Sequence, residues 1–363
     1  MVNARLRYGI PAAALVLISV GAVLVAAHTN PARLGAGSTQ PQQLPADTPG
    51  GPLGGATGWI NSPPLGPGDL SGKVVLYDFW TYSCVNCVRT LPYLRSWYDR
   101  YARDGLVLVG VHSPEFDFEH VQSNVEAATR RLGVTWPVAL DNDKTIWNLF
   151  NNAYWPADYV ADRDGHFRYK HIGEGGYKET EDLLRNLLGV DPGSPRAASP
   201  SGGDESDAAA NDAGNDAVTP ETYLGIQRGT DGARSGLNTY PEPGTLSTGD
   251  ARLVGAWTAD AEKVTAAGPG AAIVLSYRAN EVNLVMTPPS DRPVDVQVEL
   301  DGHPLPASFR TEDTVVEDSA ATVVHVDHDG LYRIVRNANV EGHTVRLIAR
   351  DAGLSAFAFT FGP

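Results

Sequence analysis

The sequence predicts an α/β domain followed by an all-β sandwich of jelly-roll type, and three observations carry that prediction. Between residues 59 and 192, near-continuous apolar runs such as KVVLYDFW (73–80) alternate with segments of helical spacing. Residues 193–219 then reduce almost entirely to Ser, Ala, Gly, Asp, Asn and Pro. From residue 220 onward, about eight short apolar/polar runs are separated by Gly, Pro and Asp.

In the α/β part, Lys73–Trp80 reads as a buried strand. The segment after Cys84, through Leu91, Leu94 and Trp97 to Tyr101, reads as a helix. Leu106–Val111 is a second apolar strand, as expected where both faces of a sheet are covered. A helix over Val121–Leu132 is stopped by Gly133. Pro137–Leu140 is a short strand, and Thr145–Phe150 a short helix. Asp158–Ala161 and His166–Lys170 flank Asp164-Gly165, a hairpin signal, and Thr180–Leu188 is a final helix ended by Gly189.

The 193–219 segment cannot bury enough apolar surface to fold, so it reads as a disordered acidic linker with a reach of roughly 25–30 Å. Beyond it, strands are expected at 252–258, 273–279, 282–287, 294–300, 321–326, 331–335, 344–350 and 355–361. Val294, Val296, Val298 and Leu300 share one face.

At the N-terminus, Arg5 and Arg7 precede an apolar run from Ile10 to Ala27, the layout of a secretory signal or signal anchor. The run is about 27 Å long as a helix, marginal for a core of about 30 Å. Cleavage near Ala27 and retention as an anchor both stay open. Residues 28–58, rich in Pro, Gly and Gln, read as a flexible tether. Everything downstream is then expected outside the membrane.

A net charge of −15 argues against nucleic-acid binding, which needs clustered Lys and Arg. The chain has two cysteines, Cys84 and Cys87, so a disulfide framework and a Cys₄ zinc site are excluded. The pair directly follows a buried strand and opens a helix. There, backbone N–H groups and the helix dipole favour the Cys84 thiolate, while Cys87 sits one turn in and stays protonated until it resolves a mixed disulfide. This is a redox centre needing no cofactor beyond a Cys84–Cys87 disulfide.

With Asp78 six residues before Cys84 and Pro92 five after Cys87, the chain resembles the thioredoxin superfamily. The resemblance implies an acidic residue, Asp78, buried behind the second cysteine and assisting its deprotonation. It also implies a cis-proline opposite the disulfide. Pro156 fits, because the terminal hairpin follows it; Pro137, also preceded by Trp, is the competitor. A cis bond there would offer the backbone of Trp155 to a substrate peptide. The inserted strand and helix resemble the TlpA/ResA branch. The runs GKVVLYDFWTYSCVNCVRTLP, GVHSPEF, YWPA and AFAFTFG are similar to the soluble C-terminal portion of DipZ-type proteins of actinobacteria. That likeness implies a carbohydrate-binding-module-like sandwich and, with at most one membrane segment here, a separate membrane electron-transfer protein. Ser83 departs from the tryptophan that often precedes the first cysteine in thioredoxins.

The expected function is exported thiol–disulfide exchange on cysteines of extracytoplasmic proteins through the Cys-Val-Asn-Cys centre. The alternatives are a thiol peroxidase, or a surface module binding cell-wall glycan or protein with a subsidiary redox domain. Trp257, Tyr277 and Tyr332 are weighed as a sugar-stacking platform against a place in the core. His112 and Glu115 are weighed as modulators of Cys84 against residues holding a turn. Tyr82 and Asn86 border the cysteines and are candidates for shaping access. Trp80 is read as packing the sheet.

Overall fold

A computed structural model describes residues 51–198, 218–229 and 233–362. The apolar run at 10–27, the tether as far as residue 50 and residues 199–217 of the linker lie outside the described residues.

The α/β part is a six-stranded sheet in the order β1-β4-β3-β2-β5-β6. Its strands are β1 (Gly58–Ile60), β2 (Val74–Trp80), β3 (Leu106–His112), β4 (Val138–Leu140), β5 (Ala157–Ala161) and β6 (Phe167–Ile172). β2, β3 and β4 are parallel, whereas β1, β5 and β6 run antiparallel to their neighbours. Every residue of β2 is buried, as its unbroken apolar sequence anticipates for a central strand covered on both faces. The helices are α1 (Pro67–Leu70), α2 (Val85–Tyr101), α3 (Gln122–Leu132), α4 (Thr145–Leu149) and α5 (Tyr177–Leu188). Gly133 and Gly189 end α3 and α5 in the left-handed conformation that a side chain would disfavour.

Two boundaries differ from the sequence reading. Residues 51–58, expected in the tether, belong to the fold: Leu53 is buried, and Gly58 pairs with Leu140. Residues 193–198, expected in the linker, lie along α5. The buried Arg185 guanidinium donates to the carbonyls of Asp191, Pro192, Ser194 and Pro195, and the Ala197 amide donates to Glu181. One planar cation with five donors organises a stretch that has no apolar pattern of its own.

The C-terminal part is a large antiparallel β region, as the all-β patterning anticipates. Its strands are β7 (Thr222–Tyr223), β8 (Gly236–Tyr240), β9 (Ala251–Ala259), β10 (Val264–Ala266), β11 (Ala272–Thr287) and β12 (Val294–Leu300). They continue with β13 (His303–Pro304), β14 (Thr314–Val316), β15 (Thr322–Val326), β16 (Gly330–Ala349) and β17 (Ser355–Gly362). β9, β10, β17 and β11 hydrogen-bond around a closed ring, while β16, β12, β15 and β14 extend outward from β11. The alternation Val294, Val296, Val298, Leu300 faces one core, together with Trp257, Tyr277 and Phe359.

The strands expected at 273–279 and 282–287 form one strand, β11, and those at 331–335 and 344–350 form one strand, β16. The register shifts between Ala279 and Glu281, which switches the side-chain phase; in the sequence that phase break resembles a turn.

The two parts pack together. Phe116 and Phe118, from the loop after β3, meet Phe357 of β17 with ring centroids 5.1 and 4.9 Å apart. Val285 and Ala358 complete this buried cluster. Around it, Arg89 of α2 pairs with Glu281 of β11, and Asn124 donates to Asp329 at 2.7 Å.

Candidate active site

The end of β2 carries the chain directly into α2, so the two cysteines sit at a strand-to-helix junction. Cys84 is the N-cap of α2, with extended backbone, and its Sγ accepts from the Cys87 amide at 3.3 Å. This is the position of a capping Ser or Asp, where otherwise unpaired amides point at the cap atom. Cys84 is half-buried, whereas Cys87 is fully buried. Burial pushes the Cys87 thiol well up, helped by its hydrogen bond to Cys84 and by the charges of Cys84 and Asp78. The accessible sulfur and the sealed one are therefore distinct, as the sequence spacing implies. Pro92 lies inside α2.

Asp78 is buried on β2, and neither carboxylate oxygen has a hydrogen-bond partner among the described residues. Burial raises its carboxyl well above the usual range, and the neighbouring Asp158 raises it further. Asp158 stands opposite Asp78 in the β2–β5 register, and burial lifts it to about 7.

The Trp155-Pro156 peptide is cis, and it is the cis bond found among the described residues. Pro137 instead lies just before β4, its carbonyl accepting from Gly110 at 2.9 Å. Trp155 is half-buried, its indole donating to the Ser113 carbonyl at 3.1 Å and lying 4.3 Å from the Trp147 ring. Pro156 accepts from the Gly173 amide. Cys84 and Trp155 line the same groove, about 380 Å³ in volume.

The β region also contributes to this groove. Tyr223, Arg228, Val285 and Phe361 form its far side. Arg228 donates to Glu115 at 2.6 Å and lies over the Tyr223 ring at 3.9 Å, while the Tyr223 hydroxyl donates to Glu115 at 2.8 Å.

Two family descriptions match the chain: AhpC/TSA family over residues 67–170, and thioredoxin-like C-terminal domain over residues 219–362. DipZ of Mycobacterium tuberculosis is 34% identical over 318 residues, covering 85% of this chain and 42% of that protein. The thiol-disulfide oxidoreductase YkuV of Bacillus subtilis is 29% identical over 136 residues, covering 38% of this chain and 91% of YkuV. The chain carries a thioredoxin-like domain. That domain is homologous to thiol–disulfide oxidoreductases. The solution structure of an oxidised thioredoxin-like protein is 29% identical with a TM-score of 0.36, covering 41% of this chain and 96% of that one. This chain spans less than half the length of DipZ.

Several weighed residues of the thioredoxin-like domain and the β region fall on one side or the other. Tyr82 is buried, stacked on His112 at 5.6 Å, so it does not shape access; Asn86 lines the groove. His112 is also buried and held neutral, burial lowering it to about 3, and it does not line the groove. Glu115 does line it, held by the Arg228 contact. Trp80 packs in the sheet core. Trp257, Tyr277 and Tyr332 are core residues, so they form no sugar-stacking platform. An aromatic strand residue cannot stack on a sugar and fill the sheet interior at once.

The sequence reading missed Glu119. This buried carboxylate accepts from the hydroxyls of Thr81 and Ser83 and from the amides of Glu115 and Phe116. It ties the loop entering Cys84 to the loop after β3. Burial pushes its carboxyl above the usual value, despite these hydrogen bonds. Only its repeated Phe and acidic neighbours in PEFDFE mark it, and that pattern looks like a surface turn.

Proposed function

We propose that the protein is an exported thiol–disulfide oxidoreductase acting on cysteines of extracytoplasmic proteins, with Cys84 as nucleophile and Cys87 as resolving thiol. The observation that carries this reading is the asymmetry of the pair: a half-buried Cys84 sulfur at the cap of α2, against a sealed Cys87 beside an unpartnered carboxyl.

In the reducing direction, the Cys84 thiolate attacks one sulfur of a substrate disulfide. An S–S bond forms to Cys84, the substrate bond breaks, and one substrate thiolate leaves to take a proton from solvent. In the ionised form of Asp78, the Cys87 thiol then passes its proton to that carboxylate and attacks the Cys84 sulfur. The internal disulfide forms as the bond between Cys84 and the substrate breaks; the second substrate thiolate leaves and takes a proton from solvent, and Asp78 returns its proton to solvent. The substrate gains two electrons and the protein loses two, so a dithiol donor, proposed as a separate membrane protein, must restore the cysteines. The same steps reversed introduce a disulfide. Burial makes the Asp78 carboxylate a stronger base, which suits it to take the proton from a thiol of raised pKa. The main chain of Trp155 lies outside the β5 ladder, which starts at Ala157, and it offers an edge for substrate backbone pairing.

The test uses Cys84→Ser and Cys87→Ser with a disulfide-bonded protein substrate. Cys84→Ser is expected to lose exchange, and Cys87→Ser to accumulate a covalent mixed disulfide visible as a mass increase. Full activity of Cys84→Ser would sink the proposal.

A further inference from the structure

The β region sits directly on the redox centre, and its side chains complete the groove that leads to Cys84. We infer that it is a specificity element, selecting substrates whose cysteine lies on an extended segment flanked by apolar or aromatic side chains; this rests on the redox reading above.

The entry to Cys84 is walled on the thioredoxin-like side by Tyr154 and Trp155, and on the β side by Tyr223 and Phe361. Tyr154 is a large hydrophobic residue left 39% exposed at this mouth. Aromatic surfaces on both walls favour apolar and aromatic side chains beside the reacting cysteine.

The charges of the groove are largely balanced among themselves. Among the described residues lining the groove, the cation is Arg228, which is held by Glu115 at 2.6 Å. Glu221 adds a second carboxyl to the lining, which burial and the neighbouring Glu115 raise to about 7. An acidic peptide would meet the Arg228–Glu115 pair and, behind Trp155, the Lys144 ammonium 4.7 Å from that ring, so charge alone does not turn it away. The preference for apolar over acidic flanks rests on the aromatic walls, which bury an apolar side chain and would strip water from a carboxylate.

The wall is fixed in place. Phe357 is packed on Phe116 and Phe118, Glu281 is paired with Arg89, and the Asp117 amide donates to Glu262 at 3.0 Å. A broad, folded protein surface cannot press flat against Cys84 while these contacts stand. A segment one strand wide can, and the open edge at Trp155 is suited to it.

The experiment uses the reduced full chain with three disulfides: a peptide with Phe and Leu flanking cysteine, one with Asp and Glu flanking it, and neutral dithiodipyridine. The wild type is expected to prefer the apolar peptide over the acidic one by about tenfold in kcat/KM. Tyr223→Ala should lower the ratio of apolar-peptide to dithiodipyridine kcat/KM at least severalfold, and Tyr223→Phe should retain it. Equal rates for the two peptides, or an unchanged ratio in Tyr223→Ala, would overturn the specificity role. Failure of the wild type to react with dithiodipyridine would instead strike the redox reading itself.

Discussion

Asp78 and Asp158 face each other across the β2–β5 register, so two carboxyl groups share one poorly solvated site beside Cys87. Two ionised carboxylates so placed repel each other and have lost water, and the pair therefore holds protons at pH values where ordinary aspartates have released them.

The folded-state pKa of Asp158 lies above its unfolded value, so the stability it contributes is present below about pH 4 and is lost as pH rises through about 7. Asp158→Asn removes that loss. Urea denaturation at pH 5 and pH 8 should show wild-type stability falling between the two by on the order of 2 kcal/mol, and the variant falling measurably less. Parallel slopes for the two proteins would show that Asp158 ionises normally.

Glu119 accepts four hydrogen bonds from groups that would otherwise be buried without partners. Glu119→Ala is expected to cost about 3 kcal/mol, and Glu119→Gln less, because an amide oxygen still accepts. Denaturant midpoints read the stability. The rate at which a thiol reagent labels Cys84 reads whether the loop carrying Ser83 has shifted. A midpoint unchanged in Glu119→Ala would mean the loops hold without it.

Glu281 of β11 joins the β region to α2 through Arg89 and is also paired with Arg336 of β16. Burial alone would raise its carboxyl, but the two guanidinium groups hold it below the usual range. Its folded pKa is depressed, so the contribution is present above about pH 4.5 and is lost as pH falls through the folded value. Glu281→Ala is expected to cost about 1–3 kcal/mol at neutral pH and to split a single calorimetric transition into two. One undivided transition at the wild-type temperature would show that the aromatic cluster alone couples the parts.

The α/β elements were legible because each buried strand and amphipathic helix writes its own period into a short stretch of chain. β2, α2 and the hairpin around Asp164-Gly165 fall within a few residues of their expected places. β11 and β16 were not legible as single strands, because a bulge changes the phase of the pattern without ending the strand. Tyr82 was misread for a related reason: its neighbour Cys84 is accessible, yet Tyr82 turns inward onto His112, and sequence adjacency says nothing of direction at an irregular turn.

By itself the sequence determined the local chemistry: two cysteines one helical turn apart, a strand before them, an aspartate on that strand and a proline ahead of the hairpin. These relations span few residues and follow from helix and strand geometry. Only the tertiary structure decided what surrounds them. Asp158 meets Asp78 because two distant strands pair in one register, and Glu119 reaches Thr81 and Ser83 because a loop folds back. Tyr223 and Arg228 reach the groove at Cys84 because Phe357 packs on Phe116 and Phe118. Such contacts join residues tens to hundreds of positions apart, and their energies depend on packing that no single window of sequence records.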